Sequence, residues 1–206
     1  MKHTILSLIA AALLAAGCSS THETAEAVKP PVQIPQSIMT MKEWGGTPAP
    51  DSVARKHTIT SITLHHGGET FTRDKDVIRY LRNLQSWSRS EKHWIDIPYH
   101  YIIDLDGNVY EGRDIRFAGD TNTQYDPAGN ALICVLGNYE DITPTPRQLE
   151  TIVSMMTWLA KTYHVPTDSI RSHRDVATGT VCPGKYLYPY VKSGFFREEV
   201  KANLSK

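Results

Sequence analysis

Near its C-terminal end the chain reads Ser172-His173-Arg174-Asp175-Val176-Ala177-Thr178-Gly179-Thr180-Val181-Cys182-Pro183-Gly184, and far upstream a β-branched run closes on Leu64-His65-His66. Imidazole nitrogen and thiolate sulfur are donors that zinc prefers in a tetrahedral shell. His173 and Cys182 stand nine positions apart across a Gly- and Thr-containing loop, enough chain to reach one ion from two sides. A third ligand has to come from elsewhere, and the His65-His66 strand end is the natural source. Three protein ligands leave a position for water, which separates a catalytic zinc from a structural one closed by four. Adjacent strand residues point to opposite faces, so only one of the two histidines can face the ion. Ile62 and Leu64 share a face with His66, Thr63 shares one with His65, and spacing leaves the choice open.

The elements that must carry these residues are legible as patterns. Residues 58–66 alternate and are rich in Ile and Thr, which predicts a strand ending at Gly67-Gly68. Val77, Tyr80, Leu81 and Leu84 repeat at helical spacing and predict a helix from Asp74 to Arg89. Tyr99–Ile103 and Asn108–Tyr110 read as short strands around Asp104-Leu105-Asp106-Gly107, a hairpin turn. The Asp-x-Asp-Gly there invites a calcium reading, but the rest of an EF-hand loop is missing. Ala131–Leu136 reads as a buried central strand. Thr145, Pro146 and Gln148 form a helix start with a capping box, and Leu149, Ile152, Val153, Met156 and Leu159 give its buried stripe. Tyr186 to about Val200 is a last amphipathic stretch. Strands and helices alternate, so the expected fold class is α/β (α+β), a single domain with a central mixed β-sheet flanked by helices.

The N-terminal residues have a different character. Lys2 and His3 precede an apolar run from Ile5 to Ala16, too short for a permanent span and patterned as a secretory signal, residues 1–17. Ala15-Ala16-Gly17-Cys18 resembles a bacterial lipobox, with Ala15 where Leu is commonest, and makes Cys18 the expected lipidation site. Ser19 after that cysteine resembles the enterobacterial signal for the outer membrane. The competing reading is an ordinary signal peptide with an incidental Cys18. Residues 18–41, rich in Ser, Thr, Glu, Ala and Pro, are expected to form a disordered tether, and residues 42–206 the domain. Lys+Arg and Asp+Glu balance at 22 each without a basic stripe, which argues against nucleic acid as partner. The expected place is the cell envelope, facing the periplasm, as a monomer. There Cys134 and Cys182 could instead form a disulfide.

Several motifs in one order carry a family resemblance. Lys42-Glu43-Trp44-Gly45-Gly46, Leu64-His65-His66, Pro98-Tyr99-His100-Tyr101, Val109-Tyr110-Glu111-Gly112-Arg113, Leu136-Gly137-Asn138-Tyr139 and His173-Arg174-Asp175-Val176 with Cys182-Pro183-Gly184 resemble the peptidoglycan recognition protein and type 2 amidase family, which includes phage amidase-type lysozymes. The similarity covers residues 42 to 195. It implies zinc as cofactor and His65, His173 and Cys182 as its ligands. It also implies Tyr99 as the catalytic tyrosine beside the metal, and Thr180 at a position that holds Lys or Thr in active members. The implied reaction is hydrolysis of the amide between N-acetylmuramic acid and L-alanine, in peptidoglycan or muropeptides.

The sequence departs from the family pattern in three places. Gly179 lengthens the His173–Cys182 loop by one residue, Asp120 stands where Gly-x-His is common, and Cys134 stands where some members carry a catalytic-site Glu; we assign Cys134 to the core. Tyr99 as a packing aromatic and Thr180 as an ordinary loop threonine are the bland alternatives. Two other functions compete with an amidase: a module that binds muropeptides without cutting them, and a lipoprotein stabilised by a closed zinc site or a disulfide. Binding-only relatives typically lack the ligand cysteine, which Cys182 supplies here.

Overall fold

The computed structural model describes residues 37–206. The expected signal peptide, Cys18 and most of the expected tether lie outside the described residues. Six strands form one sheet: β1 (Ile38–Met39), β2 (Ser61–His66), β3 (Tyr101–Ile103), β4 (Val109–Glu111), β5 (Asn130–Val135) and β6 (Ile170–Ser172), in the order β1-β4-β3-β5-β2-β6. The β3–β4 hairpin is antiparallel and every other neighbouring pair is parallel, so the sheet is mixed. β1 falls inside the 18–41 stretch expected as tether. Ile38 and Met39 pair with Val109 and Tyr110, and Met41 is buried, so residues 38–41 of that stretch are part of the fold. The edge of β4 offers those backbone groups partners that a tether would have to find in water.

Five helices cover the sheet: α1 (Val77–Ser90), α2 (Pro146–Tyr163), α3 (His173–Val176), α4 (Tyr188–Lys192) and α5 (Phe195–Leu204). Ile62 and Leu64 of β2 and Ile133 and Val135 of β5 pack with Ile152, Met156 and Leu159 of α2 and Phe196 and Val200 of α5. On the other face Leu81 of α1 meets Met41, Trp44, Ile102 and Leu136. Central strands buried on both faces read as apolar runs, and β5 does. The two layers leave the carboxyl ends of β2 and β6 side by side, the usual place for a site in a parallel sheet.

Local signals set the ends of the elements. Thr145 accepts from the Gln148 amide and Gln148 accepts from the Thr145 amide, both at 3.1 Å, so the expected capping box closes. The same Gln148 donates to the Asp104 carbonyl at 2.9 Å, fixing α2 on the hairpin. Asp104 itself takes the Asp106 and Asn108 amides at 2.9 Å each, as a turn residue does. The first helix starts at Val77, because Asp76 caps it by accepting from Arg79 N. The final amphipathic stretch is two helices rather than one. Gly194 sits at φ 82°, a left-handed conformation that glycine adopts without steric cost, and it ends one helix before the next begins.

Candidate metal centre

Strand register brings the candidate ligand residues together. Leu64 pairs with Ser172 across β2 and β6, so the next residues, His65 and His173, are neighbours at adjoining strand ends. Asp175 holds the turn after β6 by accepting from Ser172 N and Ser172 Oγ, both at 2.8 Å, which sets His173 at the first position of α3. Cys182 returns on the following loop, where its carbonyl accepts from Arg174 N at 2.9 Å. One donor atom from each of His65, His173 and Cys182 lies within 4.8 Å of the other two, and all three residues are buried.

These dimensions fit zinc. Bonds of about 2.0–2.1 Å to nitrogen and about 2.3 Å to sulfur at tetrahedral angles put N and S about 3.6 Å apart. His65 Nδ1 lies 3.7 Å from Cys182 Sγ. Among the described residues, no fourth His, Cys, Asp or Glu joins the group. Electrostatics agree with a cation site. Burial, reinforced by His173, holds His65 well below the ordinary imidazole range, and burial brings His173 down to about 4, so both rings are neutral with a lone pair to give. Burial pushes the Cys182 thiol up to about 12. A dication is what would draw that proton off.

His66 faces the other way. Its Nδ1 accepts from Tyr139 N at 3.2 Å and its ring lies 6.3 Å from that of Tyr139. Only its backbone reaches the centre, through an N–H donated to Cys182 Sγ at 3.4 Å. The choice that spacing left open therefore falls on His65, because Ile62 and Leu64 commit the His66 face to the α2 side.

Tyr99 stands beside His65, their ring centroids 5.2 Å apart. Strict alternation from Tyr101, which packs on the α2 side, would turn Tyr99 away from the site. The alternation breaks just before β3. The successive amides of Gly112 and Arg113 donate to the carbonyls of His100 and Tyr99, each at 2.8 Å, whereas in a regular antiparallel ladder only alternate residues do so. Residue 112 must be glycine for this, since a Cβ would sit 2.3 Å from the Tyr99 carbonyl oxygen. Burial and the nearby Cys134 and Cys182 push the Tyr99 hydroxyl well above the ordinary phenol range, so it stays a neutral donor.

Cys134 is buried in the core, as expected. It pairs in register with His65 on one side and Ile102 on the other, on the site's face. Cys134 and Cys182 are both free thiols. Thr180 lies in the ligand loop, where its Oγ1 accepts from Cys182 N at 3.2 Å. Its hydroxyl hydrogen is left to donate elsewhere. Gly179 takes φ 75° in that loop, with nothing within 4 Å of a Cβ.

Next to the centre runs a groove of about 410 Å³, lined by Arg55, Trp94, Asp120, Thr121, Thr123 and Tyr125 among others. Asp120 pairs with the buried guanidinium of Arg113, so it neutralises that charge at the groove wall. Three hydroxyls on the β4–β5 loop reach the ligand histidines and were not singled out in the sequence. Thr123 Oγ1 lies 2.7 Å and Thr121 Oγ1 3.5 Å from His173 Nε2, and the Tyr125 hydroxyl lies 3.4 Å from His65 Nε2. Thr121, Thr123 and Tyr125 are half-buried and alternate with exposed Asn122 and Gln124, a burial pattern that the polar residue types of this run did not signal.

The family model described as N-acetylmuramoyl-L-alanine amidase matches residues 55–185. The chain belongs to this amidase family. Its relatives include mouse peptidoglycan recognition protein 1, 28% identical over 159 residues that cover 76% of this chain and 86% of that one. The crystal structure of Drosophila peptidoglycan recognition protein SD superposes with a TM-score of 0.67 at 26% identity, covering 76% of this chain and 93% of the other. A complex of the ectodomains of recognition proteins LCa and LCx bound to tracheal cytotoxin is similar too, with TM-score 0.65, 26% identity and coverage of 75% and 94%. The amidase-family domain thus has the fold of proteins that recognise peptidoglycan.

Proposed function

We propose that this amidase-family protein is a zinc-dependent N-acetylmuramoyl-L-alanine amidase, which cuts the amide between N-acetylmuramic acid and L-alanine in peptidoglycan or its muropeptides. The observation that carries the reading is the buried His65, His173 and Cys182 donor set, with an N–S separation of 3.7 Å. Its position beside a groove supports a polymeric or glycopeptide substrate, as does the likeness to a complex holding tracheal cytotoxin, a muropeptide. We further propose that Cys18 is lipidated and ties the domain to the outer membrane on its periplasmic side.

His65, His173 and Cys182 would hold the zinc, which when bound supplies an activated water and polarises the scissile carbonyl. Tyr99, kept neutral by burial, donates to the carbonyl oxygen as negative charge develops there. Thr180, whose oxygen is already engaged by Cys182 N, donates its free hydroxyl hydrogen to the same region. Preorganised donors of this kind are each worth about 2.7–4 kcal/mol of barrier. The groove beside the centre would align the glycan and peptide on either side of the bond.

The test is mass spectrometry of purified muropeptides incubated with the zinc-loaded protein, with and without a chelator. The expected products are a free stem peptide and a sugar bearing its lactyl acid, absent when the metal is stripped. Muropeptide bound but uncut by the zinc-loaded protein would overturn the enzyme reading in favour of a binding module.

A further inference from the structure

Each ligand histidine has one ring nitrogen spoken for by a hydroxyl from the same loop. On His173 the nitrogen is Nε2, against Thr123 Oγ1 at 2.7 Å. On His65 it is again Nε2, against the Tyr125 hydroxyl at 3.4 Å, while Nδ1 of that ring faces Cys182 Sγ at 3.7 Å. A neutral imidazole carries one proton, so a ring that offers the Nδ1 lone pair must hold its proton on Nε2 and donate it there. The hydroxyl oxygens stand where they can accept it. Thr123 has an outlet for its own hydrogen in Thr121 Oγ1 at 2.9 Å, and Thr121 Oγ1 also accepts from Thr123 N at 3.1 Å.

The loop is built to keep these oxygens in place. Arg55 donates to both carboxylate oxygens of Asp126, at 3.2 and 2.5 Å. Asp126 also accepts from Ala128 N at 2.9 Å, directly after the hydroxyl-bearing stretch. Tyr125 packs its ring 5.2 Å from that of His173, so one side chain touches both histidines.

We propose that Thr123 and Tyr125 are positioning residues for the metal centre: their hydroxyls hold His173 and His65 as Nε2–H tautomers and aim Nδ1 of each ring at the ion. This rests on the zinc reading above. Hydroxyl partners add no charge, so two neutral imidazoles and one thiolate leave a bound dication with a net positive site. Carboxylate partners would offset more of that charge.

Three variants test it: Thr123→Val, which keeps shape and removes the hydroxyl, Thr123→Ser, which keeps the hydroxyl, and Tyr125→Phe. Zinc affinity is read by competition with a chromophoric chelator, and ring tautomers by ¹⁵N–¹H correlation spectra of histidine-labelled apo-protein. Thr123→Val and Tyr125→Phe should each weaken zinc by about 10–100-fold, the usual effect of losing such a partner, with Thr123→Ser within about threefold of the parent. In the apo-protein Thr123→Val should lose the Nε2–H preference at His173 alone. Parent-like affinity and unchanged tautomers in Thr123→Val and Tyr125→Phe would overturn the proposal. If the parent itself binds no zinc, the zinc reading fails, and the tautomer spectra alone decide whether the hydroxyls fix the rings.

Discussion

The ligand cysteine is the residue on which the centre depends most sharply. Its thiol is pushed up to about 12 by burial, and the His66 amide that donates to its sulfur partly offsets this. Cys182→Ser puts a hydroxyl, far harder to ionise, in that place. Two histidines alone should then hold zinc weakly and hydrolysis should vanish, since ligand deprotonation and metal binding are coupled. The groove is built by other residues, so muropeptide affinity should stay within a few-fold. Zinc content and product release, measured beside ligand affinity, check this, and full zinc with full turnover would remove Cys182 from the ligand set. Tyr99→Phe separates donor from packing. The ring still fills its place against His65, zinc is retained, and kcat should fall at least tenfold, the low side of roughly 10²–10³ for losing one such donor. Unchanged kcat would leave Tyr99 as a packing aromatic.

Elements are held in register by histidines, one buried and one half-buried, that lie outside the metal-ligand group. His100 accepts from Leu132 N on Nδ1 at 2.8 Å and pairs Nε2 with the Phe117 carbonyl at 2.9 Å, joining the start of β3, β5 and the β4–β5 loop. His57 does the same between the Ile115 carbonyl and the Gly129 amide, at 2.9 Å each. Protonating His100 would set a proton on Nδ1 against the Leu132 N–H. Burial accordingly brings its pKa down to about 3, against about 6.5 when unfolded. Between those values the unfolded chain binds the extra proton, so the stability from His100 is complete above about pH 6.5 and is lost as pH falls toward 3. From pH 6.5 to 5 the loss is about 2 kcal/mol for this one group. Urea unfolding of chelator-treated protein at the two pH values measures it. His100→Gln, which can keep both bonds without titrating, should show a shallower decline; an equal decline would exclude His100 as the source.

At the scale of the molecule, no helix among the described residues is long and apolar enough to cross a membrane. The attachment proposed above lies outside those residues, at Cys18. Acyl chains give stable anchoring where a folded surface does not. Cys18→Ala should leave muropeptide hydrolysis by the extracted protein unchanged and move the protein from the membrane to the soluble fraction on cell fractionation. Membrane association that survives the substitution would refute lipidation as the anchor.

The sequence by itself determined what is coded within a short window: the Thr145–Gln148 capping box, the Asp104 turn between β3 and β4, the strand character of residues 61–66, and the donor types His, His and Cys. Each depends on contacts a few residues apart, where propensity and spacing act directly. Tertiary structure decided what depends on pairing between distant segments. Register between Leu64 and Ser172, and the commitment of Ile62 and Leu64 to the α2 face, chose His65 over His66. A break in alternation at Gly112 and Arg113 turned Tyr99 toward the site, against the two-residue period its own strand suggests. The same packing placed Cys134 beside Tyr99 and carried the hydroxyls of Thr123 and Tyr125 onto the ligand rings. A residue's type and local period say which atoms it can offer; which neighbour receives them is set by non-local strand register, which no single window of sequence contains.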